Sequence, residues 1–385
     1  MTIKELNETV RLGETSKVQF KRDLDNSDKI AAEIIAMANV RGGMIIFGVE
    51  DKTGNIFGLD YSEIQRISNR IATIANELVK PPVYLTTEAI AFNNKAVLIV
   101  YIEEGIAKPY KDNNGTIWIK QGSDKRKLTD NNEQIRLFQQ SGRLYVDEIT
   151  VPNTSEKDID LRKVEEYLLH LSTYTENRND IFNNYLYQNL NIIRNNRLTL
   201  GGLLFFARNP QRYQPAFCIK AVAFFGNSIG GCRYRDSRDI IGTIPEMFKD
   251  GMGFFNAHLL HKQNGQNFNS TGILEISEIA LEELLQNALI HRDYTKNSPV
   301  RLMLFDNRIE IISPGCLPNS LTIENIKLGQ AVARNNLLIS YGAKMMIYRG
   351  LGSGIARALA HQPDIELIND IEGEQFIVKI LRQLQ

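Results

Sequence analysis

Apolar positions recur at three- and four-residue intervals through Ile276, Ile279, Ala280, Leu284, Ala288 and Leu289, which predicts a helix over Ile279–Tyr294 with one apolar face. Glu283, Asn287 and His291 stand four residues apart and rise as a neighbouring stripe along it. A carboxylate on a core-facing helix is costly without a partner. Spacing alone leaves two readings open: a functional stripe, or a solvated edge beside the apolar face.

The rest of the chain alternates strand-like and helix-like patterns. Val18 and Phe20 alternate with Lys17, Gln19 and Lys21, a short strand within 14–22. Asn26 or Ser27 caps a helix over about 28–39, and Arg41-Gly42-Gly43 ends it. A strand follows at 44–51, a helix over about 62–78, a break at Pro81-Pro82, strands near 83–90 and 96–102, a strand at 116–121 and a helix over 130–140. This reads as a mixed α/β domain, 1–141. Residues 142–200 read as a helical linker region, polar at 151–160 and helical over 160–172 and 180–196. A strand or buried segment begins near 198, and FCIKAVAFFG is a buried strand. The stretch SIGGCRYRDSRDIIG is polar and glycine-rich, and its charges read as a loop. Helix 243–261 precedes the Glu283 helix. A hairpin follows, Val300–Phe305 out and Ile309–Ile312 back, then the tight turn Ser313-Pro314-Gly315. Residues 335–349 are predicted helical. Gly350, Gly352 and Gly354 then lead into the helix IARALAHQ, and FIVKIL is a last strand. The second domain spans 201–385, and the fold class is α/β (α+β).

Composition narrows the classes. Lys plus Arg and Asp plus Glu are both 45, so any nucleic-acid site must be local. The three cysteines, Cys218, Cys232 and Cys316, show no C-x-x-C spacing, which argues against a zinc site or a disulfide frame. No apolar run reaches membrane-spanning length and the first residues lack a signal-peptide core, so a soluble cytoplasmic protein is expected, with no membrane partner.

Three stretches carry candidate chemistry. Residues 108–127 hold six basic side chains against two acids, with Tyr110 and Trp118 among them, a composition suited to tracking a nucleic-acid backbone or to an ordinary solvated loop. Glu14 and Asp51, both at strand ends, could converge to hold Mg²⁺ or Mn²⁺ for phosphodiester hydrolysis; otherwise they are a strand-edge acid and a turn aspartate. Glycines 350, 352 and 354 ahead of a helix would let backbone N–H groups approach a phosphate, or would merely connect two elements. His291-Arg292-Asp293 imitates a kinase catalytic loop, but Asn297 is one position too early and no D-F-G follows.

The blocks E-T-S-K-V-Q-F-K, A-N-V-R-G-G-M-I-I-F-G-V-E-D and I-W-I-K-Q-G-S-D-K-R resemble the Schlafen-type AlbA-like domain over about residues 10–141. That resemblance implies nucleic-acid binding, with Lys21, Lys120, Ser123 and Arg126 as phosphate contacts. Some Schlafens cleave RNA with a carboxylate trio, which would map to Glu14, position 19 and Asp51; position 19 here is Gln19. E-x-L-x-N-A-L-x-H-R-D-Y, D-N-R-I-E-I-x-S-P-G-x-L-P, R-N-N-x-L and G-x-G-S-G-I resemble a bacterial family of predicted transcriptional regulators also called RecG-related. That family pairs an AlbA-like N-terminus with a divergent GHKL-like ATP-binding domain, an α/β sandwich.

By that resemblance Asn287 ligates Mg²⁺, Glu283 activates water, His291 belongs to the nucleotide site, Gly350, Gly352 and Gly354 meet the phosphates, and Gly315 lies near the base. GHKL proteins hold adenine with the aspartate of D-x-G-x-G; here the matching turn is S-P-G-C-L-P. No G-x-x-x-x-G-K-[ST] loop marks a helicase motor. The resulting expectation is a nucleotide-responsive DNA- or RNA-binding regulator that binds ATP and Mg²⁺, with a homodimer as the default assembly. The alternatives are a metal-dependent nuclease using Glu14 and Asp51, and a structural module whose nucleotide fold binds nothing.

Overall fold

The computed structural model describes residues 1–51, 53–142, 144–171, 184–230, 233–262, 272–318, 321–347 and 352–382. The chain divides into two compact units, Met1–Leu144 and Tyr145–Gln385.

The first unit runs α1 (Ile3–Leu12), β1 (Val18–Lys21), α2 (Ser27–Asn39), β2 (Gly43–Phe47), α3 (Tyr61–Glu77), β3 (Leu85–Phe92), β4 (Lys95–Ile102), β5 (Trp118–Gln121), β6 (Asp124–Lys127) and α4 (Asn131–Gln140). Among the described residues β1 to β4 form one sheet in the order β1-β2-β4-β3, with β1 and β2 parallel and the other pairs antiparallel. Both faces of this sheet are covered, which explains the unbroken apolar runs of β2 and β4. Ile45, Phe47, Leu98, Val100 and Ile102 pack with α2 and α3, whereas Ile46, Val97 and Ile99 pack with Phe20 and with Leu6 of α1. Helix α1 was not expected. Its buried anchor is Leu6 and its other positions are polar or part-exposed, so the apolar period is too short to stand out. The β3–β4 hairpin turns on Asn93 and Asn94, both left-handed at φ 45° and 51°, a conformation that asparagine tolerates. The expected strand at 116–121 proves to be half of a second hairpin, β5–β6.

The second unit runs α5 (Leu161–Leu169), α6 (Asn184–Asn189), β7 (Ile193–Arg194), β8 (Arg197–Leu198), α7 (Leu200–Phe206), β9 (Ile219–Phe224), β10 (Tyr234–Ile240), α8 (Ile244–His258), β11 (His261–Lys262), β12 (Ile273–Leu274), α9 (Glu278–Ile290), β13 (Val300–Leu304), β14 (Arg308–Pro314), α10 (Ile323–Lys327), α11 (Asn336–Met345), α12 (Gly354–His361), β15 (Ile365–Asp370) and β16 (Gln375–Leu381). Among the described residues a six-stranded sheet has the order β10-β9-β13-β14-β16-β15. Its pairs are antiparallel except β9 with β13. Alternate residues of its inner strands (Ile219 and Ala221, Leu302 and Leu304, Ile309 and Ile311, Val378 and Ile380) share a core with α8, α9 and α12. The mixed α/β class expected from the chain is what the structure shows.

Residues 142–200 are not a linker. From Tyr145 onward they belong to the second unit, and Val146, Val151, Ile159, Val164 and Leu168 are buried in the same core as Leu203 and Phe206. The polar stretch at 151–160 misled because its apolar residues are widely spaced. Two further expectations change. Of the two readings of the segment after residue 198, the buried one holds and the strand does not: it is helix α7, buried throughout, with Thr199 capping it by accepting from the Gly202 N–H. The charged stretch before residue 241 carries β10, an edge strand whose side chains are mostly exposed, with Ile240 alone buried. The expected helix over 180–196 falls partly outside the described residues; what is described there is α6 and the β7–β8 hairpin. The helix predicted over 335–349 spans α11, and residues beyond 347 again lie outside the description.

Candidate functional site

Helix α9 starts behind Ser277, whose hydroxyl accepts from the Ala280 N–H, and is buried almost all round. Leu281, Leu284, Leu285 and Leu289 enter the core, and Glu283, Asn287 and His291 line one side of a cleft of about 1080 Å³, counted to its open mouth. Gly352, Ser353, Gly354 and Arg357, at the start of α12 where it packs on α9, also line the cleft. Ile311, Leu317, Leu321, Ile326, Phe376 and Val378 make the other end apolar. Glu283, Asn287, His291, Gly315, Gly352 and Gly354 are therefore brought together as expected; Gly350 lies outside the described residues.

The glycines hold the walls close. A Cβ on Gly354 would come within 2.5 Å of Glu283 Oε2 and 3.1 Å of Asn287 Nδ2. Gly352, at φ +74°, lies against the Gly329 carbonyl, with Ala331 Cβ 3.2 Å from where its own Cβ would be. Gly315 has φ +100°, and a Cβ there would press on Asp293 and reach 2.8 Å from Arg334 Nη1. Burial, reinforced by the Arg334 charge, pushes the His291 imidazole down to about 4, so it is neutral at physiological pH.

Three cleft residues went unassigned in the sequence. Arg357 forms an ion pair with Glu283. Arg334 donates to the carbonyl oxygens of His291 (3.3 Å) and Cys316 (2.6 Å), joining the end of α9 to the turn after β14. Ser313 occupies the strand end beside Gly315, and its hydroxyl donates to the Ala288 carbonyl at 3.0 Å, so it supplies no carboxylate for a base amine. One signal was available for Arg357: it lies three residues after Gly354, on the same face of α12. The motif asparagine Asn335 is structural, its amide capping the Ile290 and Arg292 carbonyls at 2.8 and 2.9 Å. Asp293 closes the helix end by accepting from the Thr295 N–H and hydroxyl.

In the first unit the expected contacts are rearranged. Glu14 accepts from the Gln19 side-chain amide and from the Phe20 N–H at 2.8 Å, while Asp51 is paired with Lys21. Each acid thus has its own partner, and among the described residues no group of three or more His, Cys, Asp or Glu side chains is placed to hold a metal ion. Lys120 is buried rather than presented to a phosphate: its ammonium donates to Gln19 Oε1 (2.8 Å), to Glu33 (3.3 Å) and to the Ser123 carbonyl. Lys125 also pairs with Glu33, Lys108 with Glu104, and Arg126 makes two bonds to Glu133, at 2.7 and 2.9 Å. The local surplus of basic residues is therefore largely neutralised inside the unit. Ser123 is exposed at the hairpin tip, and exposed Lys127 lies 5.5 Å over the Trp118 ring.

Fold and cleft together define an α/β chain of two units, the second of which carries the cleft. Residues 14–129 match the family described as "Schlafen, AlbA_2", and residues 297–370 match "Putative ATP-dependent DNA helicase recG C-terminal". Each unit thus contains a stretch similar to one of these two families. The second match takes in Gly315, Gly352 and Gly354 and begins after Glu283 and Asn287. Among solved structures, the chain is similar to the DIP2311 protein from Corynebacterium diphtheriae, at 20% identity over 95% of this chain and 75% of that one, TM-score 0.48. It is also similar to the N-terminal domain of a putative ATP-dependent DNA helicase RecG-related protein from Nitrosomonas europaea, at 19% identity over 33% of this chain and 92% of that one, TM-score 0.25. No curated protein matches the chain. Among the described residues no helix is long and apolar enough to cross a membrane.

Proposed function

We propose that the protein is a nucleotide-responsive, nucleic-acid-binding regulator whose second unit binds ATP with Mg²⁺. The observation that carries this reading is the convergence of Glu283, Asn287, Gly352, Gly354 and the N-terminus of α12 on one cleft. A helix N-terminus favours an anion, and Gly354 leaves no side chain between it and the Glu283–Asn287 stripe. Bound Mg²⁺ neutralises phosphate charge and takes few protein ligands, which fits a site offering the Asn287 amide beside Gly354. The apolar end accepts a base by stacking and burial. Without an acid in the Ser313–Gly315 turn, selectivity for adenine is modest. Hydrolysis is weak in this reading, because the carboxylate that would activate water is paired with Arg357.

The nucleic-acid surface of the first unit is best read as the depression lined by Lys29, Trp118, Lys125 and Lys127, where aromatic and basic groups lie together with two acids, Asp28 and Asp112. Metal-dependent nuclease chemistry at Glu14 and Asp51 is not favoured, since both acids are already satisfied.

Calorimetry with Mg-ATP tests the central step. Wild type should bind, and Asn287→Ala and Gly354→Ala should each weaken binding by about tenfold or more, one removing the metal-facing amide and the other closing the phosphate path. Equal affinity in all three proteins would place the ligand elsewhere.

A further inference from the structure

We propose that Arg357 reads the terminal phosphate of the nucleotide and, in turning to it, releases Glu283. This inference rests on the nucleotide reading of the cleft and adds a regulatory contact to it. Arg357 on α12 and Glu283 on α9, two helices packed against each other, both line the cleft and are ion-paired. Glu283 is 5% exposed, so its charge needs a partner, and Arg357 is the cation that supplies it.

The pairing is incomplete on the arginine side. The Arg357 side chain is 33% exposed, and its Nε is buried without a hydrogen-bond partner among the described residues. A guanidinium presents five donors in a planar fork, which two phosphate oxygens match better than one carboxylate oxygen. Gly354 lies one turn before Arg357 on the same face of α12, so an anion at the N-terminus of this helix sits on the face from which Arg357 projects. A long phosphate chain can therefore draw Arg357 off Glu283, whereas a shorter one leaves the pair closed. The ion pair acts as a latch that opens when a triphosphate is bound.

The test measures ATP and ADP binding, each with Mg²⁺, to the full chain. Wild type should prefer ATP by about 10- to 100-fold, the effect of one charge-assisted contact, and Arg357→Ala should bring that preference close to one. Glu283→Gln removes the competing charge while keeping the side-chain shape, and Arg357 can then still reach solvent. That variant should bind ATP about fivefold tighter than wild type. A merely structural clamp would not give that gain. If ATP and ADP bind but Arg357→Ala keeps the wild-type ratio, or Glu283→Gln binds ATP no better, the latch is overturned and the nucleotide cleft stands. Failure of wild type to bind either nucleotide would overturn the cleft reading as well.

Discussion

Lys120 shows how a single residue changes meaning between sequence and structure. As one of six basic residues in 108–127 it suggests a phosphate contact. In the fold it is the internal counter-ion of Glu33, with Gln19 and the Ser123 carbonyl taking its other donors. Gln19 explains the arrangement, since its amide can donate to Glu14 and accept from Lys120 at once, which a carboxylate could not do. Lys120→Met should therefore lower the stability of the first unit by about 3 kcal/mol, because Glu33 stays buried with only Lys125 beside it. The salt dependence of DNA or RNA binding should hardly change in that variant, whereas Lys127→Ala should flatten it. Denaturant titration and binding over a range of salt concentrations separate the two effects. A Lys120 variant that is fully stable yet loses a phosphate contact would contradict the assignment.

At the scale of elements, the cleft is held by side chains that tie helix ends to neighbouring turns. Asn335 and Arg334 fasten the end of α9, and Asp147, in a 3-10 turn after the start of the second unit, accepts from the Leu338 N–H at 3.0 Å to cap α11. Burial pushes the Asp147 carboxyl up to about 6 against the pull of the Leu337 and Leu338 N–H groups. A folded-state value above the unfolded one means that the protonated form fits the fold better, so stability falls as pH rises from about 4 to about 6 and the cost then stays constant. Asp147→Asn keeps the cap without the buried charge and should raise the melting temperature at pH 7 by a few degrees, with little gain at pH 4. A gain equal at both values would rule out ionisation of Asp147 as the cause.

These tying contacts are also where sequence reading stopped. The long apolar periods of α2, α3 and α9 and the runs of β2, β4 and β9 were legible because helix and strand bury different spacings. The Glu283–Asn287–His291 stripe was legible because four-residue spacing survives folding unchanged. Edge strands β10 and β15 were not: few of their side chains are buried, one in β10 and two in β15, and their places in the sheet depend on strands elsewhere in the chain. Arg357 lay hidden for the same reason, since its partner is on another helix.

On the scale of the whole molecule, each unit carries half of the proposed function. The first has the Schlafen AlbA_2 match and a basic, aromatic depression; the second has the RecG-related match and the cleft. A nucleotide can regulate the first unit only if it binds one state of the chain better than another. Hydrogen exchange of the full chain with and without Mg-ATP is the most direct measurement of whether the cleft is the ligand site. The account predicts slower exchange in 283–291 and 353–358 when nucleotide is present, since both segments line the cleft. Protection absent from both segments, or confined to the first unit, would contradict it.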